Sequence, residues 1–421
     1  MISENTLNQT ISHLYRHEAG KMMAVLTKIF GKHNVELAED VVQETLIRAF
    51  EQWKLSGLPA NPSAWLMQVA KNKTIDVIRK EKHKQEFARE TSALLKSEYT
   101  LKSTIDKLTD ENEIKDDLLK MMFACCHPSM NAEAQITLIL KILCGFSTLE
   151  IAKAFLSSEE TITKRLYRAK QQFREDKIAL VIPSPAEIRE RLENVLTAIY
   201  LLFNEGYNAT DHDTLVRQDL AEEGMRLAFM LTENKQTAQP QVFALLALMC
   251  FHAARFKGRV GEQGNLLVLK DQDRSLWNRE LIQQGVVFLQ NASKGENISR
   301  YHIEAMIAYE HCTAASYEQT NWQQILQCYN WLYALENDSI VALNRAVVIG
   351  EILGAKQAIK EITKIPELKS LEKFYLLHAI LGELHLQNGE KSLAKKHWQE
   401  AFSLTHSKAE REFLELKISK I

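Results

Sequence analysis

The sequence predicts an all-α protein of several domains, and three observations support this fold class. The chain has 421 residues, which is too many for one hydrophobic core at about 100 to 200 residues per domain. Its 15 glycines and 7 prolines fall well below the usual fractions of roughly 7% and 5%, so tight turns are scarce. All seven prolines stand between segments whose apolar residues recur at helical spacing, where a missing N–H group interrupts no helix.

The composition also excludes several classes of protein. Hydrophobic residues make up 46% and charged residues 25% of the chain, which is typical of a globular protein and not of a disordered one. The six cysteines show no CxxC spacing, and the N-terminus has neither the basic start nor the apolar run of a signal peptide. The longest apolar run, 242–254, is shorter than the ~20 residues of a membrane span and predicts a buried helix. We therefore expect reduced thiols, a cytoplasmic location, no membrane contact, no cofactor and no metal.

The net charge of −2 conceals a strong local pattern. Residues 71–84 and 161–177 each carry a net charge of +4, and residues 85–117 between them carry −4. A single charged run is usually a solvated helix face, but two basic helices on either side of an acidic segment suggest two DNA contacts. Two major-groove sites two turns apart lie ~70 Å from each other, and about 33 extended residues reach ~110 Å. One chain could therefore hold both sites.

Two amphipathic helices are predicted, one before the first basic region and one that includes most of it. The segment ELAEDVVQETLIRAFEQW places its apolar residues on one face and leaves Asp40, Gln43 and Glu44 on the other. After a loop, Asn61 can cap a second helix that begins at Pro62. On that helix, one exposed face carries Asn72, Asp76, Arg79 and Lys80.

Two capping boxes predict a pair of short helices in the second basic region. They are Ser147-x-x-Glu150 and Ser157-x-x-Glu160, and each pairs backbone amides at a helix start. The apolar residues behind them suit the steep crossing of a helix-turn-helix motif. The second helix then exposes hydroxyl and basic side chains that suit phosphates and base edges, namely Thr161, Thr163, Lys164, Arg165 and Arg168. The alternative to a helix-turn-helix is an ordinary helical hairpin whose basic face is exposed to solvent.

Three segments together resemble an RNA polymerase sigma factor of the extracytoplasmic-function (ECF) subfamily. They are AEDVVQETLIRAF, SAWLMQVAKNKTIDVIRKEK and FSTLEIAKAFLSSEETITKRLYRAKQQFR. FACCHP, LLFNEGYNAT, DQDRSLWNRELI and ALNRAV further resemble the subgroup with a large helical C-terminal extension. The resemblance implies that the chain binds core RNA polymerase and directs transcription initiation at specific promoters, and that it is not an enzyme. The segments expected are region 2 (1–82), an acidic linker (83–115), region 4 (116–180), a helical extension (186–299) and repeats resembling tetratricopeptide repeats (300–421).

The resemblance also implies roles for particular residues. Asp40, Gln43 and Glu44 match the positions that dock on the clamp helices of the polymerase's largest subunit. Asn72, Asp76, Arg79 and Lys80 match those that recognise and open the minus-10 element, and Thr161, Thr163, Lys164, Arg165 and Arg168 match those that contact the minus-35 element. Two departures stand out: the loop 55–63 holds no aromatic residue for capturing a flipped base, and Leu156 stands where a helix-turn-helix often has Gly.

The second half of the chain is predicted to form a separate regulatory part. After Pro183 and Pro185 the helices lose their basic faces, and spacing counted from Tyr375 matches a tetratricopeptide repeat, with a looser copy near Ser339. Such repeats commonly bind a protein or peptide partner on a concave face. We expect the acidic extension to regulate the sigma regions in cis. An alternative function is a stand-alone helix-turn-helix regulator with such an interaction domain.

Three further polar groups invite functional hypotheses. Cys125 and Cys126 are adjacent to His127, but no second pair stands at zinc spacing, so buried thiols are expected. The FNEGY segment carries Asn204, Glu205 and Tyr207, and DQDR carries Asp271, Asp273 and Arg274. Helix caps and ion pairs are the expected explanation of both segments, and His252 and His311 are expected to be structural.

Overall fold

The computed structural model of the chain describes residues 4–31, 34–81, 111–155, 157–207, 217–261, 267–405 and 407–421. Within these ranges the secondary structure is helical and contains no β-strand, which confirms the all-α prediction. The turn residue Leu156 and most of the predicted linker 83–115 lie outside the described residues. The last residues of that linker already belong to a helix, which begins at Glu111 in the described part of the chain.

The described residues form two compact units. Unit 1 comprises residues 1–203 and 222–237, and unit 2 comprises residues 204–221 and 238–421. The boundary therefore does not follow the Pro183 to Pro185 segment at which the sequence suggested a new domain. Most of the next helix, and most of the one after it, belong to the same unit as the predicted sigma regions.

Unit 1 is built around one long helix. Its helices are α1 (Glu4–Phe30), α2 (Val35–Ser56), α3 (Pro62–Glu81), α4 (Glu111–Cys125), α5 (Ala132–Ile142), α6 (Thr148–Ala154), α7 (Glu159–Glu175), most of α8 (Pro185–Tyr207) and most of α9 (Gln218–Glu233). Helix α1 packs against α2 and α3 and also against α4 and α5. The segments predicted as regions 2 and 4 thus share one core.

A glycine permits the closest of these contacts. A Cβ added to Gly20 on α1 would lie 2.4 Å from the carbonyl oxygen of Leu143, just after α5. Because a backbone oxygen cannot rotate away, any larger residue at position 20 must push α1 away from the end of α5. Nearby, Lys28 on α1 pairs with the buried Asp117 on α4 at 2.9 Å.

Unit 2 contains the helices that follow. They are α10 (Pro240–Ala254), α11 (Phe256–Arg259), α12 (Arg279–Ala292), α13 (Arg300–Thr313), α14 (Trp322–Glu336), α15 (Ser339–Leu353), α16 (Ala355–Ile362), α17 (Tyr375–Gln387), α18 (Lys391–Leu404) and α19 (Lys408–Ser419). Helix α10 is the predicted buried apolar helix and packs against α12 and α13. From α13 onward each helix packs on the next, which is the arrangement of a helical array.

Small residues allow close helix contacts in this array. A Cβ on Gly382 of α17 would meet the Trp398 ring of α18 at 2.3 Å, and one on Gly350 of α15 would meet Ala358 of α16 at 3.1 Å. Gly382 and Trp398 stand at positions 8 and 24 of the predicted repeat when Tyr375 is counted as position 1. Trp398 is 2% exposed and packs with Ala401 and Leu414.

Candidate polymerase and nucleic-acid interface

Helix α2 presents an acidic face to solvent. Asp40, Gln43 and Glu44 are exposed, as the helical spacing predicted. The apolar face is covered only in part: Val41, Ala49 and Trp53 are buried, whereas Ile47 and Phe50 are exposed. The Glu44 carboxylate forms an ion pair with Lys73 of α3. The exposed acid and amide groups thus lie beside the basic helix that follows in the sequence.

The neighbouring acids of α2 contact the segment predicted as region 4. Glu39 pairs with Lys170 of α7 at 2.5 Å, and Glu36 approaches Arg174 of the same helix at 3.7 Å. Glu39 is immediately adjacent to Asp40 in the sequence. The end of α7 therefore lies against the same helix that carries the predicted polymerase-binding residues, a contact that sequence reasoning missed.

The predicted minus-10 residues form one exposed row on α3. Asn72, Asp76, Arg79 and Lys80 are all exposed, and the Asn61 side chain caps the helix by accepting from the Ala64 amide at 3.0 Å. Asp76 and Arg79 approach to 3.9 Å, which at this exposure holds neither side chain firmly. The row is therefore accessible to solvent. It carries two cationic side chains and two side chains that can form hydrogen bonds with base edges.

The loop before α3 leaves one apolar side chain in solvent. Leu55, near the end of α2, is 90% exposed, and Gly57 closes the helix at φ +78°. Trp65 is half-buried, and its ring lies 5.2 Å from that of the buried Trp53. Trp65 therefore packs toward the core, as its position on the apolar side of the helix suggested.

Helices α5, α6 and α7 form the predicted helix-turn-helix region. The capping box of Ser147 and Glu150 is present and starts α6. The second one is wrong by one residue: Ser158, not Ser157, caps α7 by accepting from the Thr161 amide, because the Ser157 amide instead donates to the carbonyl oxygen of Ala152. The residues expected to join the helices are buried, namely Ile151, Ala152, Ile162 and Leu166.

The predicted minus-35 residues differ in their availability. Thr161, Thr163, Lys164 and Arg168 are exposed, and Lys164 pairs with Glu160 at 2.6 Å in the same helix. Arg165 differs from the prediction, since its side chain is only 18% exposed and pairs with Glu133 of α5. Its guanidinium also lies 4.9 Å from the centre of the Phe155 ring.

A groove of about 390 Å³ lies along the start of α7. It runs between α5 and α7 and is lined by Asn131, Thr161, Lys164, Arg165, Arg168 and Gln172, among others. Arg168 carries the longest exposed basic side chain of this set. Arg165 instead joins α7 to α5 through its ion pair with Glu133. This arrangement suits a residue that positions α7 better than one that contacts a base edge.

The first two helices of the extension contact the sigma segments. Arg191 of α8 donates to the Phe123 carbonyl oxygen of α4 at 3.3 Å, and Asn194 donates to Gln135 of α5 at 2.8 Å. Glu233 of α9 approaches Lys115 at 3.5 Å. A cleft of about 590 Å³ in this unit is lined by residues of α1, α3, α4 and α9.

The cysteine side chains lie inside the protein. All six cysteines are buried and none forms a disulfide, and burial raises the pKa of Cys125 to about 12. Burial, together with the charge of the neighbouring Cys125 thiolate, raises the pKa of Cys126 well above its usual value. In the described ranges no group of three or more His, Cys, Asp or Glu is arranged to hold a metal ion. Over the same ranges, no helix has the length and apolarity that crossing a bilayer requires.

Comparison with known proteins places this architecture in a family. The Sigma-70 region 2 family matches residues 14–84, and a family of unknown function, DUF6596, matches residues 191–293. The chain is 30% identical over 162 residues to the ECF RNA polymerase sigma factor SigL of Mycobacterium tuberculosis, an alignment that spans 38% of this chain and 85% of that protein. The chain belongs to the ECF sigma factors.

A second relative extends the similarity beyond the sigma regions. The chain is 33% identical over 396 residues to an uncharacterized protein of Rhizobium meliloti strain 1021, covering 94% of this chain and 92% of that protein. No solved structure matches the chain. The extension is therefore shared with a relative of nearly the same length.

Proposed function

We propose that the chain is a promoter-specificity subunit that binds core RNA polymerase and directs it to particular promoters. The observation that carries this proposal is the exposed face of α2 with Asp40, Gln43 and Glu44, in a chain that belongs to the ECF sigma factors. An acidic and amide surface complements a basic partner and speeds its association. The partner surface is the pair of clamp helices of the largest polymerase subunit.

Promoter recognition is divided between α3 and α7. On α3, Arg79 and Lys80 contact phosphates, and Asn72 and Asp76 contact exposed bases of the minus-10 element. The loop before α3 has no aromatic residue, so the exposed Leu55 is the apolar group that contacts an unstacked base. On α7, Thr161, Thr163, Lys164 and Arg168 contact the minus-35 element, while Arg165 orients the helix.

The packing of unit 1 corresponds to a closed form of the sigma regions. Promoter elements two turns apart lie ~70 Å from each other, whereas α2 and α7 are in ion-pair contact. Region 4 must therefore leave region 2 before both elements can be bound. Because Glu39 and Asp40 are adjacent on α2, polymerase binding at Asp40 favours release of Lys170 and Arg174.

The extension regulates this opening in cis. Arg191 and Asn194 of α8 bind region 4, while α9 joins α1, α3 and α4 in lining one cleft. These helices stabilise the closed form and so oppose promoter binding. The repeats of unit 2 are tetratricopeptide-like and bind a protein or peptide partner.

Run-off transcription on genomic DNA fragments tests the assignment. Core polymerase with the full-length chain is expected to produce discrete transcripts with defined start sites, and core polymerase alone is not. If no promoter-specific transcript appears, with either the wild type or the opened Gly20 variant described below, the sigma assignment fails. DNA binding without polymerase and no binding to core would instead favour the stand-alone regulator.

Replacing Gly20 with alanine is expected to open unit 1. The added Cβ would lie 2.4 Å from a backbone oxygen, and overpacking of this kind costs about 1 to 3 kcal/mol. The closed form loses that stability, so apparent affinity for core polymerase rises, by about 5-fold at the lower limit. Competition binding against a labelled sigma factor measures this.

The matched control for this change is Gly224→Ala. It also adds one methyl group to a helix of unit 1, but the nearest atom is the Phe203 Cβ at 3.2 Å, within the extension. Its affinity for core is expected to match the wild type. Equal affinities for all three proteins would contradict the closed-form proposal.

Replacing Arg168 with alanine is expected to weaken use of the minus-35 element. A bidentate Arg contact to guanine contributes about 1 to 3 kcal/mol of discrimination, so open-complex formation should fall 5-fold or more. The exposed Arg189 of α8 supplies the control, since Arg189→Ala removes the same charge outside the helix-turn-helix. On a template whose minus-35 element is scrambled, wild type and Arg168→Ala should be equally poor; a persisting difference would place Arg168 elsewhere.

A further inference from the structure

A group of basic side chains lies inside unit 2, where the ends of several helices meet. Arg255, just after α10, is 8% exposed, and Arg259 of α11 is 9% exposed. Arg274, on the 3-10 turn Arg274–Leu276, is half-buried. Arginine is rarely buried unless it is paired, so the buried Arg255 close to a second guanidinium group, that of Arg274, needs explanation. We refer to Arg255, Arg259 and Arg274 as the arginine cluster.

Aromatic side chains contact the first two guanidinium groups. One terminal nitrogen of Arg255 donates to the Tyr207 hydroxyl and lies 3.2 Å from Nδ1 of His252. The Arg259 guanidinium stacks on the same tyrosine, 3.5 Å from its ring centre. Tyr207 belongs to the FNEGY segment, so that segment contributes to the cluster.

Backbone carbonyl oxygens hold the third guanidinium group, that of Arg274, in place. Nη1 of Arg274 donates to the carbonyl oxygens of His311 and Ala314, each at 2.7 Å, near the end of α13. Its guanidinium lies 4.8 Å from the Trp277 ring centre. The DQDR segment is thereby joined to α13, and only the N-terminal cap formed by Asp273 matches the role expected for the segment.

Several nitrogens of this cluster have no acceptor. The buried atoms without a hydrogen-bond partner in the described structure include Arg255 Nε, Arg274 Nη2, Trp277 Nε1 and His311 Nδ1. A buried donor that has lost water and gained no acceptor is costly, and native proteins hold few of them. The atoms on Arg255, Arg274 and Trp277 always carry a hydrogen, and three such donors in one neighbourhood indicate a missing acceptor.

The local charge indicates that the missing acceptor is an anion. Burial and the charges of Arg255 and Arg274 lower the pKa of His311 to about 3, so its imidazole is neutral and does not add to the positive charge. Over the described residues, no carboxylate is among the groups that act on Arg255. The carboxylate of Glu318 acts on Arg274, but it is exposed to solvent.

A glycine lies directly against the indole N–H. A Cβ added to Gly258 of α11 would lie 2.7 Å from Nε1 of Trp277 and 2.9 Å from its Cδ1. Any larger residue at this position would therefore push the indole out of its present place.

We propose that the arginine cluster, with Trp277 and His311, is a binding site for the oxyanion group of a small molecule, a phosphate or a carboxylate. Guanidinium groups suit both because their paired N–H groups match two oxygens of such an anion. The indole and the Nδ1–H form of the imidazole donate to the remaining oxygens. The site lies within unit 2 and is independent of the sigma function.

Calorimetric titration of the full-length chain with sodium phosphate and, separately, with sodium acetate tests the site. Sodium chloride keeps the ionic strength constant in both titrations, since salt screens unspecific attraction. At least one of the two anions is expected to bind saturably and with one-to-one stoichiometry, and the one that binds identifies the group. That anion should also raise the thermal midpoint of the protein.

Variants of differing severity locate the binding. Trp277→Phe keeps an aromatic ring and removes the N–H, and Gly258→Ala pushes the indole out of its place; each is expected to weaken binding at least tenfold. Arg255→Gln removes a charge and is expected to abolish binding, but the two milder variants decide the matter if it does not fold. Arg300→Gln, on the half-exposed start of α13, is the control and should bind as wild type does.

Two results would overturn the proposal. The first is no saturable binding of either anion to the folded wild-type protein, which would leave internal water as the partner of the free donors. The second is equal binding by wild type, Trp277→Phe and Gly258→Ala, which would place the anion elsewhere on the surface. Neither result bears on transcription, so the sigma assignment stands or falls separately.

Discussion

Reversing the charge of Asp40 and Glu44 together, as Asp40→Lys and Glu44→Lys, is expected to reduce binding to core polymerase more than 100-fold. Both side chains are exposed on α2, so the change should leave the fold intact. Two attractive contacts become two repulsive ones, and mismatched charges across an interface cost several kcal/mol. Pull-down with core polymerase and run-off transcription measure the loss.

The control for this variant carries the same change of charge. Glu190→Lys with Glu193→Lys alters two exposed acids one turn apart on α8, outside region 2. Core binding by this control should remain within about twofold of wild type. If the two double variants lose binding equally, net charge decides the affinity and the assigned surface on α2 is wrong.

Replacing Trp398 with alanine is expected to destabilise unit 2 by about 3 to 5 kcal/mol. The side chain is 2% exposed and its ring fills the space that Gly382 leaves free, so its removal opens a cavity between α17 and α18. Urea unfolding followed by far-ultraviolet circular dichroism should show a lower midpoint for the transition of unit 2.

Trp331 supplies the control for this change. It is 43% exposed on α14, so Trp331→Ala removes an equal volume while creating no closed cavity. Its midpoint is expected to shift by less than a third of the Trp398→Ala shift. Equal shifts would mean that Trp398 does not lie in a packed core.

Local patterns were sufficient to predict much of the sigma segment. Apolar residues at helical spacing predicted α2, α3 and the buried helix α10, because one face of each must be covered. The cap formed by Asn61 and the capping box of Ser147 lie where the sequence placed them, since a cap depends on a few adjacent residues. The second capping box missed by one residue because the Ser157 amide bonds back to Ala152, across the turn between α6 and α7.

Contacts between distant segments were not predicted. The pairing of Glu39 with Lys170 joins residues far apart in the sequence, and each alone looks like an ordinary solvated charge. Arg165 matched the family position for promoter contact, yet Glu133 and Phe155 draw it into the domain. The spacing of residues in the sequence predicts which side chains share one face of a helix. Which residues that face contacts depends on the helix that packs against it.

The sequence alone determined that the protein is all-α, where its amphipathic helices begin, and that it resembles ECF sigma factors. Only the tertiary structure decided that the regions predicted as 2 and 4 share a core with α8 and α9, and that the buried Arg255 lies near Arg274. A helix is encoded by periodicity within a few turns, and its caps by still shorter patterns. A shared core and a charged cluster depend on residues that only folding brings together, as Arg255, Arg274 and Tyr207 do from three separate segments.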